Sequence, residues 1–228
     1  MDDPTPSDLA PAASPAVPSA LPRSFPWPPG EEDNVIFAAG ETWWQSVSRP
    51  RDFFAAMPVA GYLSALAYYL PIGIIGAALE LFWSTTLDAF GIGLDGWFQT
   101  QPAANPALER LMGFLLSPLT LLLALFAGSA LVHGTLKVLG AARRPYVASV
   151  RVCAFASGTY LFLIAPWIGT LLAVLGSAIL TVIGLREVHN TTTARAAAAL
   201  IFPIVLLLVL ATLFALLTVL AGAILPAL

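Results

Sequence analysis

The chain has 228 residues, of which 58% are hydrophobic and only 10% charged, and its mean hydropathy is +0.85. That leaves too little polar surface to cover a water-soluble domain of this size, so a soluble globular protein is excluded and an integral membrane protein is expected. The net charge of −3 says little, because in a membrane protein the placement of charge matters more than its sum.

Residues 1–33, "MDDPTPSDLAPAASPAVPSALPRSFPWPPGEED", hold nine prolines and few large aliphatics. Such a segment can neither pack a core nor propagate a helix, and it reads as a disordered cytoplasmic tail. Asp2, Asp3 and Asp8 stand where a signal peptide would carry a basic patch. Residues 34–57 form an amphipathic interfacial segment that Pro50 divides into two short helices, taking the first-turn position of the second. Trp43 and Trp44 suit headgroup depth, Arg49 and Arg51 suit anionic phosphates, and Phe53, Phe54 and Met57 are expected to dip inward.

From residue 58 to 228 the chain is apolar enough for a five-span transmembrane domain. Crossing a hydrocarbon layer about 30 Å thick takes about 20 helical residues. Residues 58–82, 111–136 and 196–224 each qualify as one span, and 147–185 is roughly twice as long. Within it "IAPWIGT" combines Pro166 and Gly169, which favour a tight turn, with an interfacial Trp167, giving a hairpin of two spans at 147–165 and 168–185. The fold class is therefore all-α: a membrane bundle of five helices with short amphipathic helices and a disordered N-terminal tail. Gly73 with Ala77, and Ala173 with Ser177, have the spacing of close helix contacts, as seams within the bundle or a homo-oligomer face. Pro203 is expected to kink the last helix.

Orientation follows from Lys and Arg placement. With the N-terminus in the cytoplasm, Arg23, Arg49, Arg51, Lys137, Arg143, Arg144, Arg151, Arg186 and Arg195 fall on the cytoplasmic side and only Arg110 falls outside. The 83–110 connection, with Asp88, Asp95, Glu109 and the Trp83/Trp97 pair, then faces the opposite compartment, as does the C-terminus.

Four pieces of the chain carry a family resemblance. They are "TWWQSVSRPRDFFAAM" before the first span, "LVHGTLKVLGAARRPYVASVRVCAFAS" around the second cytoplasmic loop, "APWIGTLLAVLGSAILTVIGLREVH" through the hairpin, and "TTTARAAAALIFP" opening the last span. From residue 42 to about 203, in order, spacing and topology, the chain resembles the Yip (Ypt-interacting protein) family in its bacterial form. The resemblance implies a non-enzymatic organiser or adaptor of membranes, and in eukaryotic members the binding of prenylated Rab-type GTPases. The Asp-Leu-Tyr-Gly-Pro motif of those members is absent here, and the Ala-rich composition suggests a bacterial inner membrane.

Chemistry is sparse. Intramembrane catalytic or transport sites usually place ionisable groups deep in the spans, and here the span centres lack them. Glu80, His133 and Lys137 lie near span ends, where their side chains can snorkel. There is no phosphate loop, no His-Glu-x-x-His, and no Ser or Cys beside a plausible base, and Cys153 reads as a buried inert thiol. No catalytic, cofactor or metal site is expected, nor any nucleic-acid partner. The candidate site is a cytoplasmic polar cluster of His133, Lys137, Arg151, Arg186, Glu187, His189 and Arg195, which gather if the hairpin packs against both neighbours. Its excess of cations suits an anionic lipid headgroup or an acidic segment of a partner protein. Thr191, Thr192 or Thr193 should cap the fifth helix, and Arg195 in its first turn calls for an anionic partner, Glu187 or a lipid phosphate. The reading from another class is a small transporter or channel, which would gather Glu80, Ser129, His133 and Ser177 on one cavity.

Overall fold

The computed structural model describes residues 25–92 and 105–224, without the side chains of 221–224. Most of the expected tail, together with Asp95, Trp97 and the last four residues, lies outside them. Helix α1 (Val35–Ser48) starts where Asn34 Oδ1 accepts from the backbone N–H groups of Ile36 (2.9 Å) and Phe37 (3.4 Å). It stops before Pro50, which lacks an N–H and bars its predecessor from helical geometry; Pro50 then opens α2 (Pro50–Ala55) at its first position, as expected.

Five helices follow that are long and apolar enough to cross a membrane. They are α3 (Leu63–Ala89), α4 (Pro106–Val138), α5 (Tyr146–Ala156) with a 3-10 continuation over Ser157–Ile164, α6 (Ile168–His189) and α7 (Thr193–Ile224). The first span is shifted from its expected 58–82, because residues 56–62 form a connection that is hydrogen-bonded to α5 rather than the start of a helix. The seven helices make the fold all-α among the described residues.

Punctuation of the loops is local. At the end of α4, Gly140 (φ +62°) lets Ala141 N–H reach back to the Leu136 carbonyl at 2.8 Å, a closure that favours glycine because of its left-handed backbone. Asn190 (φ 48°) does the same for α6, with Thr191 N–H on the Arg186 carbonyl at 3.0 Å. Of the three candidate threonines, Thr192 caps α7, accepting from Arg195 N–H at 3.4 Å.

The third span is the most enclosed, with 61% of its apolar stretch buried against 6% in α7. Its second half is not the α-helix that its composition suggests. The Gly158 carbonyl is taken by Trp43 Nε1–H (3.0 Å), and Thr159 Oγ1 donates to the Ala173 carbonyl of α6 (3.1 Å), so cross-helix bonds compete with the i→i+4 ladder. Gly158 is also close to its neighbours: a methyl group there would meet Tyr68 Oη at 2.8 Å and Trp43 Cδ1 at 3.2 Å.

The interfacial segment packs against protein. Phe53, Phe54 and Met57, expected to dip toward lipid, are buried in the main core, and Phe54 and Val152 close on Gly184 so that α2, α5 and α6 meet at one point. Trp44 remains exposed, as headgroup depth requires, whereas Trp43 is half-buried. Two residues counted with the tail belong to the core as well. Trp27 is 5% exposed, donates from Nε1 to the Ser64 carbonyl (2.6 Å) and meets the Tyr68 ring edge-on; Phe25 packs on Phe53 and Phe155. Among the described residues the packed part therefore starts at residue 25, because two aromatic rings supply the burial that a proline-rich segment otherwise lacks.

Of the four small residues expected at seams, Gly73 sits against Leu121 of α4 and Ala173 is buried beside Thr159, while Ser177 donates to its own helix at Val174. Pro203 is buried inside α7.

Candidate functional site

The seven residues expected in one cluster lie toward the ends of α4 and α6 and the starts of α5 and α7, but they divide into three groups. The first group is a buried hydrogen-bond chain. His189, the last residue of α6 and 0% exposed, accepts at Nδ1 from the backbone N–H of Arg144 (3.2 Å). An imidazole that accepts at Nδ1 carries its proton at Nε2. That nitrogen lies 3.1 Å from Ser149 Oγ, which in turn lies 2.9 Å from Nδ1 of His133. Donation therefore runs from Arg144 to His189, from His189 to Ser149, and from Ser149 to His133, and the two rings stand 5.7 Å apart. The chain ties α4, the 139–145 loop, α5 and the end of α6 together. The two histidines do meet, as their positions suggested, and the residue that joins them, Ser149, escaped notice because a lone serine in an apolar run has no sequence signature.

The second group lies at the surface. Arg186 pairs with Glu187, its Nε donating at 3.0 Å, and also reaches Thr193 Oγ1 of α7 at 3.4 Å. Glu187 is thus engaged by its neighbour in sequence and not by Arg195, whose side chain is exposed, as is that of Lys137.

Arg151 stands apart, and the expectation that it anchors at the membrane surface with the others is corrected. It is 1% exposed, the largest fully buried side chain among the described residues. One Nη donates to the carbonyls of Ala60 (3.0 Å) and Gly61 (3.1 Å) and to Ser64 Oγ (2.7 Å), while the guanidinium carbon lies 5.5 Å from the centre of the Phe155 ring. Carbonyl dipoles and a ring face, rather than a carboxylate, balance this cation. Its Nε is buried without a hydrogen-bond partner. Nothing in the sequence marks residues 60–64 as its acceptors, since they are some 90 positions away.

Above the buried chain, Lys137, Arg143, Arg144 and Arg195 project from two short loops and the helix ends beside them, all exposed, and none is in an ion pair among the described residues. Arg49 and Arg51 are exposed at the start of α2. Among the described residues no three of His, Cys, Asp and Glu gather to hold a metal ion. The four residues that would mark a transport cavity are spread over three places. Glu80 lines one cavity, Ser129 and Ser177 line a smaller one of about 310 Å³ with Cys153 and Pro203, and His133 belongs to the buried chain.

No curated protein and no solved structure matches the chain. A family model does, over residues 44–224, which takes in α1 from Trp44 onward, α2 and all five long helices. By that match, carried on a bundle of five apolar helices with a short amphipathic lead-in, the chain belongs to the Yip1 domain family of membrane proteins.

Proposed function

We propose that this protein is a non-enzymatic membrane scaffold whose N-terminal face, turned to the cytoplasm, holds anionic lipid headgroups. The observation that carries this reading is the set of exposed cations Lys137, Arg143, Arg144 and Arg195, unpaired among the described residues and held on loops that the His133–Ser149–His189 chain braces from below. Braced loops lose little further entropy when a phosphate is bound, so charge attraction is not spent on ordering them. A cation near an anionic leaflet gains about 1 kcal/mol, so four of them suffice to select acidic lipids over neutral ones.

Native mass spectrometry of the protein extracted from nanodiscs of mixed phosphatidylglycerol and phosphatidylcholine tests the reading. Phosphatidylglycerol should be retained preferentially, and the preference should vanish in the quadruple variant Lys137→Gln, Arg143→Gln, Arg144→Gln, Arg195→Gln. Equal retention by both proteins overturns it. An acidic segment of a partner protein would use the same residues and would appear as binding that persists in neutral lipid.

A second reading, a small transporter, rests on the two cavities, which succeed one another along α4 and share Tyr160 in their walls. Solute movement into proteoliposomes that is lost on replacing Tyr160 by tryptophan would favour it.

A further inference from the structure

α3 and α4 are joined where Tyr69 Oη donates to the Leu121 carbonyl (3.0 Å) and again toward the end of α3, where Asp88 pairs with Arg110. Between these points the packing is close: a methyl group added to Gly73 would stand 2.7 Å from Leu121 Cδ1 of α4, and one on Gly76 would stand 3.2 Å from Tyr160 Cβ of the 3-10 stretch. Beyond that seam, Ala77, Glu80 and Ser84 of α3 face Gly113 and Ser117 of α4 across a cavity of about 600 Å³, within the range of small-ligand sites. Arg110 lines the cavity and pairs with Asp88, joining the end of α3 to the start of α4.

Two polar groups in its wall have no hydrogen-bond partner among the described residues, one of them exposed and the other buried. Glu80 lies eight residues before Asp88, about 12 Å along the helix axis, and among the described residues nothing donates a hydrogen bond to its carboxylate. Its side chain is exposed, so a ligand entering the cavity can reach the carboxylate. Ser117 is 7% exposed, and its Oγ has no partner. Since Arg110 is engaged by Asp88, the uncompensated charge of the cavity is the single negative one of Glu80. The remaining wall, including Leu81, Phe114 and Leu163, is apolar.

We propose that this cavity binds an amphiphile whose head carries an ammonium group, held by Glu80 and Ser117, with its alkyl part against Leu81, Phe114 and Leu163. An ammonium supplies up to three N–H donors, which matches one carboxylate and one idle hydroxyl oxygen. A head of net negative charge would bring like charge against Glu80. Such a head occurs on free alkylamines and on amine-headed lipids, and the chemistry is the same for both.

The test uses the full-length chain in dodecyl maltoside, with binding measured by calorimetry against empty micelles. The probes are decylammonium, decanol and decanoate, which share a chain and differ in charge. Decylammonium should bind at least about ten-fold more tightly than either of the others. Glu80→Gln should remove that preference. Gly113→Leu should abolish binding of all three, since Gly113 lines the cavity and a Cβ there meets nothing within 4 Å, which leaves open space for the side chain to occupy. Dihexanoyl phosphatidylethanolamine binding as tightly as decylammonium assigns the site to a lipid, whereas its failure to bind assigns it to free amines. Equal binding of the three probes, an unchanged preference in Glu80→Gln, unchanged binding in Gly113→Leu, or no binding beyond that of empty micelles each overturns the proposal. None of these outcomes depends on the cations of the opposite face.

Discussion

Replacing Arg151 by alanine would leave the Ala60 and Gly61 carbonyls and Ser64 Oγ without their donor and empty the space above Phe155. Hydrogen bonds to a charged group contribute about 1.5–3 kcal/mol, so Arg151→Ala should lower detergent-solubilised thermal stability by at least that amount. Arg151→Lys should recover only part of that loss, because an ammonium can replace the donors but not the planar guanidinium beside the Phe155 ring. Arg151 and Glu187 bond to different groups, so Arg151→Lys combined with Glu187→Gln should be additive within about 0.5 kcal/mol; a larger coupling would restore the single cluster read from their positions along the chain. Ser149→Ala isolates His133 Nδ1 from His189 Nε2, and two buried ring nitrogens then lack partners. A loss of about 1–3 kcal/mol is expected in the same assay, and a neutral result would mean that the chain does not brace the loops.

Among the elements, the segment before α1 makes a clean comparison. Deleting residues 1–24 should leave stability unchanged, whereas deleting 1–33 removes Trp27 from its place over Tyr68 and Ser64 and should cost about 3–5 kcal/mol, as emptying an aromatic site does. Equal melting temperatures for the two truncations would show that Trp27 contributes nothing. In the 3-10 stretch, Gly158→Ala forces a methyl group against Tyr68 Oη and the Trp43 ring, and a loss of about 1–3 kcal/mol is expected from such overpacking. Neither element was legible beforehand. Trp27 is surrounded by prolines in the sequence, and the α/3-10 change at Ser157 is set by bonds to Trp43 and Ala173, from α1 and α6.

At the scale of the whole molecule, the lysine and arginine asymmetry survives the burial of Arg151, because among the described residues seven other cations still outnumber Arg110. Cysteine substituted at residue 190 should label only from the cytoplasmic side, and at residue 96 only from outside, on a Cys153→Ser background. The reverse pattern would invert the protein and remove the proposed headgroup face from the anionic leaflet. The number of long helices, the Pro50 break, the hairpin at Pro166 and a threonine cap on α7 were determined by the sequence alone, since apolar run length, ring closure at proline and side-chain capping act over a few residues. Only the tertiary structure decided that Arg151 is buried on carbonyls, that Ser149 joins two histidines and that Glu80 shares a cavity with Ser117. Each of these depends on which face a long helix turns toward its neighbours. An apolar helix with almost no amphipathic bias gives no sign of that face until packing selects it.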